Sequence, residues 1–369
     1  MTILLFGGMS RMRASIILGT RPEIIKFSPI IFEFERLGLD YFIVHSGQHY
    51  SYRMDRVFFE QLELPDAKYN LEVGSGTHAF QTGRILMGVE EVLMRERPDV
   101  VLVQGDTNTT LAGALAAVKL HIPVGHVEAG LRSFDRSMPE EINRLLADHC
   151  SDLLFAPTEI ARHNLLCEGI SDENIYVTGN TIVDALFRNL RIAERRRGIL
   201  ERLGLEKRGF FLATVHRQEN VDDRVRFGKI LRGLELVNER FSLPIIYPIH
   251  PRAAKRIKEF NLKPRGLRLV EPLDYLSFLL LERSARLVFT DSGGVQEETC
   301  ILHVPCVTLR YNTERPETLE VGSNVLAGVD PKSIVEKAEL MLERRPDWPN
   351  PFGDGKAGKR IVKILDERF

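Results

Sequence analysis

The chain has 369 residues, enough at roughly 150 residues per domain for two domains that each bury a core without disulfides or structural metals. Fifty Lys and Arg against 51 Asp and Glu leave a formal charge of −1, which excludes a global positive field able to gather a nucleic-acid backbone or an anionic membrane surface. Hydrophobic residues at 44% and charged residues at 27% exclude a disordered chain.

Residues 1–11 stand outside the pattern that begins at Met12 and read as an edge strand, a tail or a misassigned start. The apolar run 3–9 is too short to span a bilayer and lacks the flanks of an export signal. From Ala14 onward, short β-branched runs alternate with helix-period segments, the pattern of a parallel sheet covered by helices on both faces. Strands are expected at 15–18, 41–45, 100–103, 124–127, 153–155 and 175–177, and again at 211–215, 245–249, 267–270, 287–290 and 306–309. The fold class is therefore α/β, with two doubly wound Rossmann-like domains. The Arg- and Glu-rich stretch 188–208, with Gly198, Gly204 and Gly209, reads as the junction, giving domains 12–190 and 205–350. An amphipathic helix at 356–369 follows a Pro- and Gly-rich run and is expected to return to the first domain. Cys150, Cys167, Cys300 and Cys306 show no C-x-x-C spacing, so free thiols in a reducing cytoplasm and no zinc site are expected.

In open parallel sheets ligands bind beyond the carboxyl ends of the strands, so the residues that follow each strand carry the functional signal. Gly19-Thr20-Arg21-Pro22-Glu23 follows the first strand, and Lys26 lies one turn on. Ser46-Gly47-Gln48-His49, Gln104-Gly105-Asp106-Thr107 and Glu128-Ala129-Gly130-Leu131-Arg132 follow the next three. In the second half, His216-Arg217-Gln218-Glu219-Asn220 and His250-Pro251 follow strands. Asp291-Ser292-Gly293-Gly294 then leads into a helix whose amides and dipole can cradle a pyrophosphate, with Glu298 a turn later placed to accept from ribose hydroxyls. There is no G-x-G-x-x-G and no G-x-x-x-x-G-K-[ST], which argues against a nicotinamide cofactor or a P-loop.

Each of these residues also has a plain structural reading. Gly293-Gly294 fits a tight turn, and Asp291 or Ser292 fits a helix N-cap. Ser137-Met138-Pro139-Glu140 has capping-box spacing, and Asp106 fits a loop-end cap. What favours function is their shared location at one end of the sheets.

From Met12 to the end, the chain resembles the non-hydrolysing UDP-N-acetylglucosamine 2-epimerases. The resemblance rests on the motifs 19–26, 48–49, 104–107, 126–132, 139–144, 216–220, 291–298 and 313–317. It implies a glycosyltransferase-B-like fold with two Rossmann-like domains facing across a cleft, no metal, no cofactor, and a homodimer. It also implies interconversion of UDP-GlcNAc and UDP-ManNAc through elimination of UDP to 2-acetamidoglucal. By motif, the catalytic residues are Asp106, Glu128 and Glu140, with Asp106 and Glu140 the favoured proton-transfer pair, together with His216 at the diphosphate. The substrate-binding set is Arg21, Lys26, Gln48, His49, His250, Ser292, Gly293, Gly294, Glu298 and Arg315.

One departure concerns regulation. Bacterial members are commonly activated by UDP-GlcNAc at a second site built partly from an Arg-Gln pair, and here the equivalent places are Ser75-Gly76 and Ser51, so weak or absent activation is expected. Competing functions are a hydrolysing epimerase, an epimerase of a modified UDP-sugar such as a diacetamido uronic acid, a UDP-GlcNAc-dependent glycosyltransferase, and a non-catalytic sensor. The Thr313-Glu314-Arg315-Pro316-Glu317 match favours the simpler sugar. The expected partner is a UDP-sugar, with no nucleic acid and no membrane.

Overall fold

Val100–Gln104 and Leu153–Ala156 are buried at every position. Successive side chains of a strand point to opposite faces, so unbroken burial means that both faces of the sheet are covered. The computed structural model describes residues 12–48, 52–195 and 198–369. They form two units: the described residues up to Ala185 with Gly355–Phe369, and Leu186–Asp354.

The strands of the first unit are β1 (Arg13–Leu18), β2 (Asp40–His45), β3 (Tyr69–Asn70), β4 (Val100–Gln104), β5 (Val124–Val127), β6 (Leu153–Ala156) and β7 (Ile175–Val177). They lie in the order β3-β2-β1-β4-β5-β6-β7, every pair parallel. The second unit has β8 (Phe211–Thr214), β9 (Ile245–Pro248), β10 (Leu267–Val270), β11 (Leu287–Thr290), β12 (Cys306–Thr308) and β13 (Asn324–Leu326). Their order is β10-β9-β8-β11-β12-β13, again parallel. Each sheet is doubly wound, as the alternation of runs predicts. The strand order reverses between β1 and β4 and between β8 and β11, and those reversals locate the ligand crevices of such sheets.

Successive side chains alternate between the cores on the two faces of the sheet. Phe211 and Ala213 of β8 join Phe289, Val307 and Phe227 on one face, while Leu212 joins Phe210, Ile246 and Val288 on the other. Two strands escaped the sequence reading, β3 and β13. They have two and three residues and are only partly buried at the sheet edges, so no β-branched run marks them.

The helix Arg21–Leu37 opens with a proline in its first turn and closes at Gly38, whose positive φ of 62° lets its N–H reach Glu35 and Phe34 carbonyls. The helix Ala357–Arg368 packs on it within the first unit. Gly358 makes that approach possible, since a Cβ there would stand 2.9 Å from the Pro29 backbone. Asp184 accepts from the Ala357 and Gly358 N–H groups at 3.2 and 3.1 Å and so caps this helix. All four cysteines are free.

Candidate active site

At the reversal in the first unit, one buried carboxyl joins the loops after β1 and β4. Glu23 accepts from the Gly19 N–H at 2.9 Å through Oε2 and from the Thr107 hydroxyl at 2.7 Å through Oε1. Burial pushes its pKa up despite these bonds. Thr107, reciprocally with Thr110, caps the helix Asn108–Lys119. The cap is thus Thr107, and Asp106 is left for other work. It is 33% exposed, and its Oδ2 accepts from Arg144 Nε at 3.0 Å and Nη2 at 2.6 Å.

Glu128 follows β5 with φ of +70°, a left-handed conformation that a side chain with a Cβ adopts at a cost. Its buried carboxylate lies 2.5 Å from Lys26 Nζ and also accepts from the Gln104 amide. Lys26, expected to assist the leaving phosphate, is therefore paired with a carboxylate in this structure. Oε2 of Glu128 is 3.7 Å from the Cβ position of Gly105, which sets Glu128 beside the Asp106 loop. Both loops are tied to Asp148. His126 Nδ1 is 2.6 Å from its Oδ1, and His126 Nε2 is 2.9 Å from the Gly105 carbonyl. Burial alone would raise Asp148, but His126 and Arg132 beside it outweigh that and hold its pKa down.

Glu140 is the second residue of the helix Pro139–Cys150, whose N-cap is Met138. The capping box anticipated from Ser137 does not form, because the Ser137 hydroxyl donates to Asp135 at 2.6 Å. Glu140 is half-buried and has no hydrogen-bond or ion-pair partner among the described residues. Four residues on, the same helix sends Arg144 to Asp106, while Asn143 Nδ2 donates to the Asp106 carbonyl at 2.9 Å. Gln48 is buried, its Oε1 accepting from the Thr109 hydroxyl at 2.8 Å. Arg21 is exposed, with its guanidinium carbon 5.9 Å from the Phe58 ring centre. His49 and Ser51 lie outside the described residues, as do residues 1–11.

At the reversal in the second unit, the buried Asp291 takes the loop after β8. Its carboxylate accepts from the backbone N–H groups of His216 and Arg217 and from Asn220 Nδ2, all at 3.0–3.1 Å. His216 Nδ1 stands 3.1 Å from Oδ1, and its ring is 41% exposed. Burial works against the Asp291 charge, yet these donors outweigh it and keep the pKa below the ordinary range. His250 lies 6.1 Å from His216 between ring centres. Burial lowers its pKa, and the neighbouring His216 and Arg252 lower it further. Asp291 is therefore a loop anchor. Ser292 holds the N-cap position of the helix Gly293–Ile301, but its side chain makes no cap bond.

The two glycines differ. A Cβ on Gly293 would meet Glu314 Oε1 at 2.3 Å, so that glycine serves an internal contact. Gly294 faces only the Ser292 hydroxyl at 3.9 Å, leaving room for a close approach. Glu298 keeps 6% exposure and accepts from the Tyr275 hydroxyl at 2.8 Å. Arg315 is buried, donating from Nε to Glu297 and from Nη1 to the Glu314 carbonyl at 3.1 Å. In this structure it braces the helix Gly293–Ile301. Among the described residues no three His, Cys, Asp or Glu side chains gather to hold a metal ion, and no helix is long and apolar enough to cross a membrane.

Residues 33–366 match a family model described as UDP-N-acetylglucosamine 2-epimerase. The chain belongs to the UDP-N-acetylglucosamine 2-epimerase family. These enzymes are isomerases. The chain is 57% identical to the UDP-N-acetylglucosamine 2-epimerase of Methanocaldococcus jannaschii over 96% of its own length and 99% of the relative's. A solved structure of the Methanocaldococcus jannaschii UDP-GlcNAc 2-epimerase in complex with UDP-GlcNAc and UDP matches with a TM-score of 0.91 and 56% identity, covering 96% of this chain and 100% of that one. A UDP-2,3-diacetamido-2,3-dideoxy-D-glucuronate 2-epimerase of Pseudomonas aeruginosa is 43% identical over 96% of this chain and 99% of its own length.

Three side chains around these residues went unremarked as individual site residues in the sequence. Arg144 had a signal, being an Arg one helical turn after Glu140. Glu23 and Tyr275 had none, because their roles depend on contacts made across the fold.

Proposed function

We propose that the chain interconverts UDP-GlcNAc and UDP-ManNAc by elimination and re-addition. C2 of the sugar is not next to a carbonyl, so its hydrogen is too weakly acidic for simple removal. Stretching of the C1–O bond to UDP builds positive character at C1, which acidifies C2–H enough for a carboxylate base. The C1–O bond breaks as the proton leaves, giving 2-acetamidoglucal and UDP. UDP then re-adds at C1 while a proton reaches the opposite face of C2.

The observation that supports this reading is the convergence of the segments that bear these carboxylates: Arg144, one turn after Glu140 on the same helix, binds Asp106 after β4, and Glu128 after β5 stands beside Gly105. Two faces of C2 require two acid/base groups, and we assign them to Asp106 and Glu140, with Glu128 a further participant. Asp106 is fixed in place by Arg144, whereas Glu140 has no competing contact. In the second unit, His216 and the amides at Gly293 and Gly294 stabilise charge on the departing diphosphate, with Arg21 assisting and Lys26 holding Glu128. His250 contacts the nucleotide, and Glu298 accepts from the ribose. The unmodified N-acetyl sugar is supported by the higher identity to the UDP-N-acetylglucosamine 2-epimerase than to the diacetamidoglucuronate 2-epimerase.

The test is incubation with UDP-GlcNAc alone in D₂O, followed by proton NMR. UDP-ManNAc carrying deuterium at C2, with little free UDP, is expected. Free N-acetylmannosamine would indicate hydrolysis instead, and no reaction until an acceptor is added would indicate a transferase. Turnover only of the diacetamido uronate would move the assignment to that substrate.

A further inference from the structure

Behind the carboxylate assigned to the ribose lies a second carboxyl that the reaction does not use. Glu282, on the helix Tyr275–Ser284, is 0% exposed. Neither of its oxygens accepts a hydrogen bond from any N–H or O–H of the described residues, and both are sealed from solvent. The carboxyl beside it is that of Glu298 on the helix Gly293–Ile301. The titratable groups around it are Glu298, the Tyr275 hydroxyl, which already donates to Glu298, and the Cys306 thiol on β12.

Two ionised carboxylates offer each other only acceptors, and an isolated ion pays heavily for leaving water. One proton shared between them converts that repulsion into a donated bond, the arrangement by which like carboxyls in contact ordinarily coexist. Burial drives Glu282 well above the usual carboxylate range, and the charge on Glu298 pushes it the same way. The proton belongs on Glu282, the more deeply buried partner, since Glu298 alone keeps some surface.

We propose that Glu282 is a positioning residue: as a neutral carboxylic acid it donates a hydrogen bond to Glu298 and, with Tyr275, fixes that carboxylate as an ionised acceptor for the ribose hydroxyls of a uridine diphosphate ligand. This rests on the assignment of Glu298 to the ribose. Glu282 touches neither substrate nor the reacting atoms, and its effect is on nucleotide recognition.

The experiment compares binding of UDP with that of its 2′-deoxy and 3′-deoxy analogues by calorimetry, in the wild type, Glu298→Gln, Glu282→Gln and Glu282→Leu. The wild type is expected to prefer UDP over at least one deoxy analogue by about tenfold, the worth of a hydrogen bond to a charged acceptor, and Glu298→Gln to erode that preference. Glu282→Gln, which keeps a neutral donor, is expected to retain it, and Glu282→Leu to lose most of it. A wild type indifferent to both deoxy analogues overturns the ribose assignment and this inference with it. A preference lost in Glu298→Gln but intact in Glu282→Leu overturns the inference alone. An infrared difference spectrum of wild type against Glu282→Gln at neutral pH supplies a readout independent of ligand and of the leucine variant's folding. The C=O stretch of a protonated carboxylic acid, present in the wild type and absent from the variant, is expected, and its absence from the wild type overturns the inference.

Discussion

The ammonium of Lys26 stands 2.5 Å from Oε1 of Glu128, and both side chains are almost wholly buried although 102 positions separate them. Removing one partner of such a pair strands the other charge away from water. Lys26→Met is expected to lower stability by about 3–5 kcal/mol, and adding Glu128→Gln to recover part of that loss. Urea denaturation of the two single variants and the double variant measures the coupling.

The proposed proton-transfer pair is separable from nucleotide binding. Asp106→Asn and Glu140→Gln are each expected to reduce deuterium incorporation at C2 by at least about a hundredfold, while UDP affinity changes little. Calorimetry with UDP and NMR in D₂O on the same samples check both halves. Wild-type exchange in either variant removes that residue from the mechanism.

Asp291 holds two backbone amides and Asn220 at once. Asp291→Ala leaves those buried donors without an acceptor and is expected to cost about 2–4 kcal/mol. Because the folded pKa of Asp291 is depressed, the stability it contributes is present above its unfolded pKa and lost as pH falls through the folded value. Acid denaturation of the wild type is therefore expected to contain a component from Asp291 that the variant lacks, read from unfolding midpoints at successively lower pH.

The depressed pKa of His250 leaves it neutral near pH 7. A bound diphosphate opposes the effects that lower it, so UDP binding draws a proton onto this ring and affinity rises as pH falls from about 8 toward 6. Calorimetry in buffers of different ionisation enthalpy is expected to show proton uptake, diminished in His250→Ala.

Ser75 and Gly76 are exposed and present no guanidinium, and the Gln48 amide oxygen is occupied by Thr109. Hyperbolic rates against UDP-GlcNAc are expected, with the reverse reaction starting from UDP-ManNAc alone. A sigmoidal curve, or a strict need for added UDP-GlcNAc, contradicts this.

The strand ends were legible because a parallel sheet writes long apolar runs that stop abruptly at polar loops, as β4 does before Gly105 and Asp106. Local spacing failed where two caps competed. Ser137 and Glu140 stand at capping-box distance, but Pro139 takes the first helical position and Ser137 turns to Asp135, so Glu140 takes no part in a cap. Nothing in the order of residues signals that Glu128 turns to a positive φ, or that Lys26 finds Glu128 rather than a phosphate. Those outcomes depend on which loops a doubly wound sheet brings side by side. Edge strands such as β3 owe their existence to a neighbour's unpaired backbone more than to their own composition.

Asp184 caps a helix that begins 173 positions later in the chain, with the whole second unit encoded between them. On the ribosome, the face of Arg21–Leu37 that this helix covers must wait for that entire insertion to be synthesised, whereas the second unit is continuous and needs nothing downstream. Order of translation and order of completion therefore run opposite ways: the part begun first is finished last.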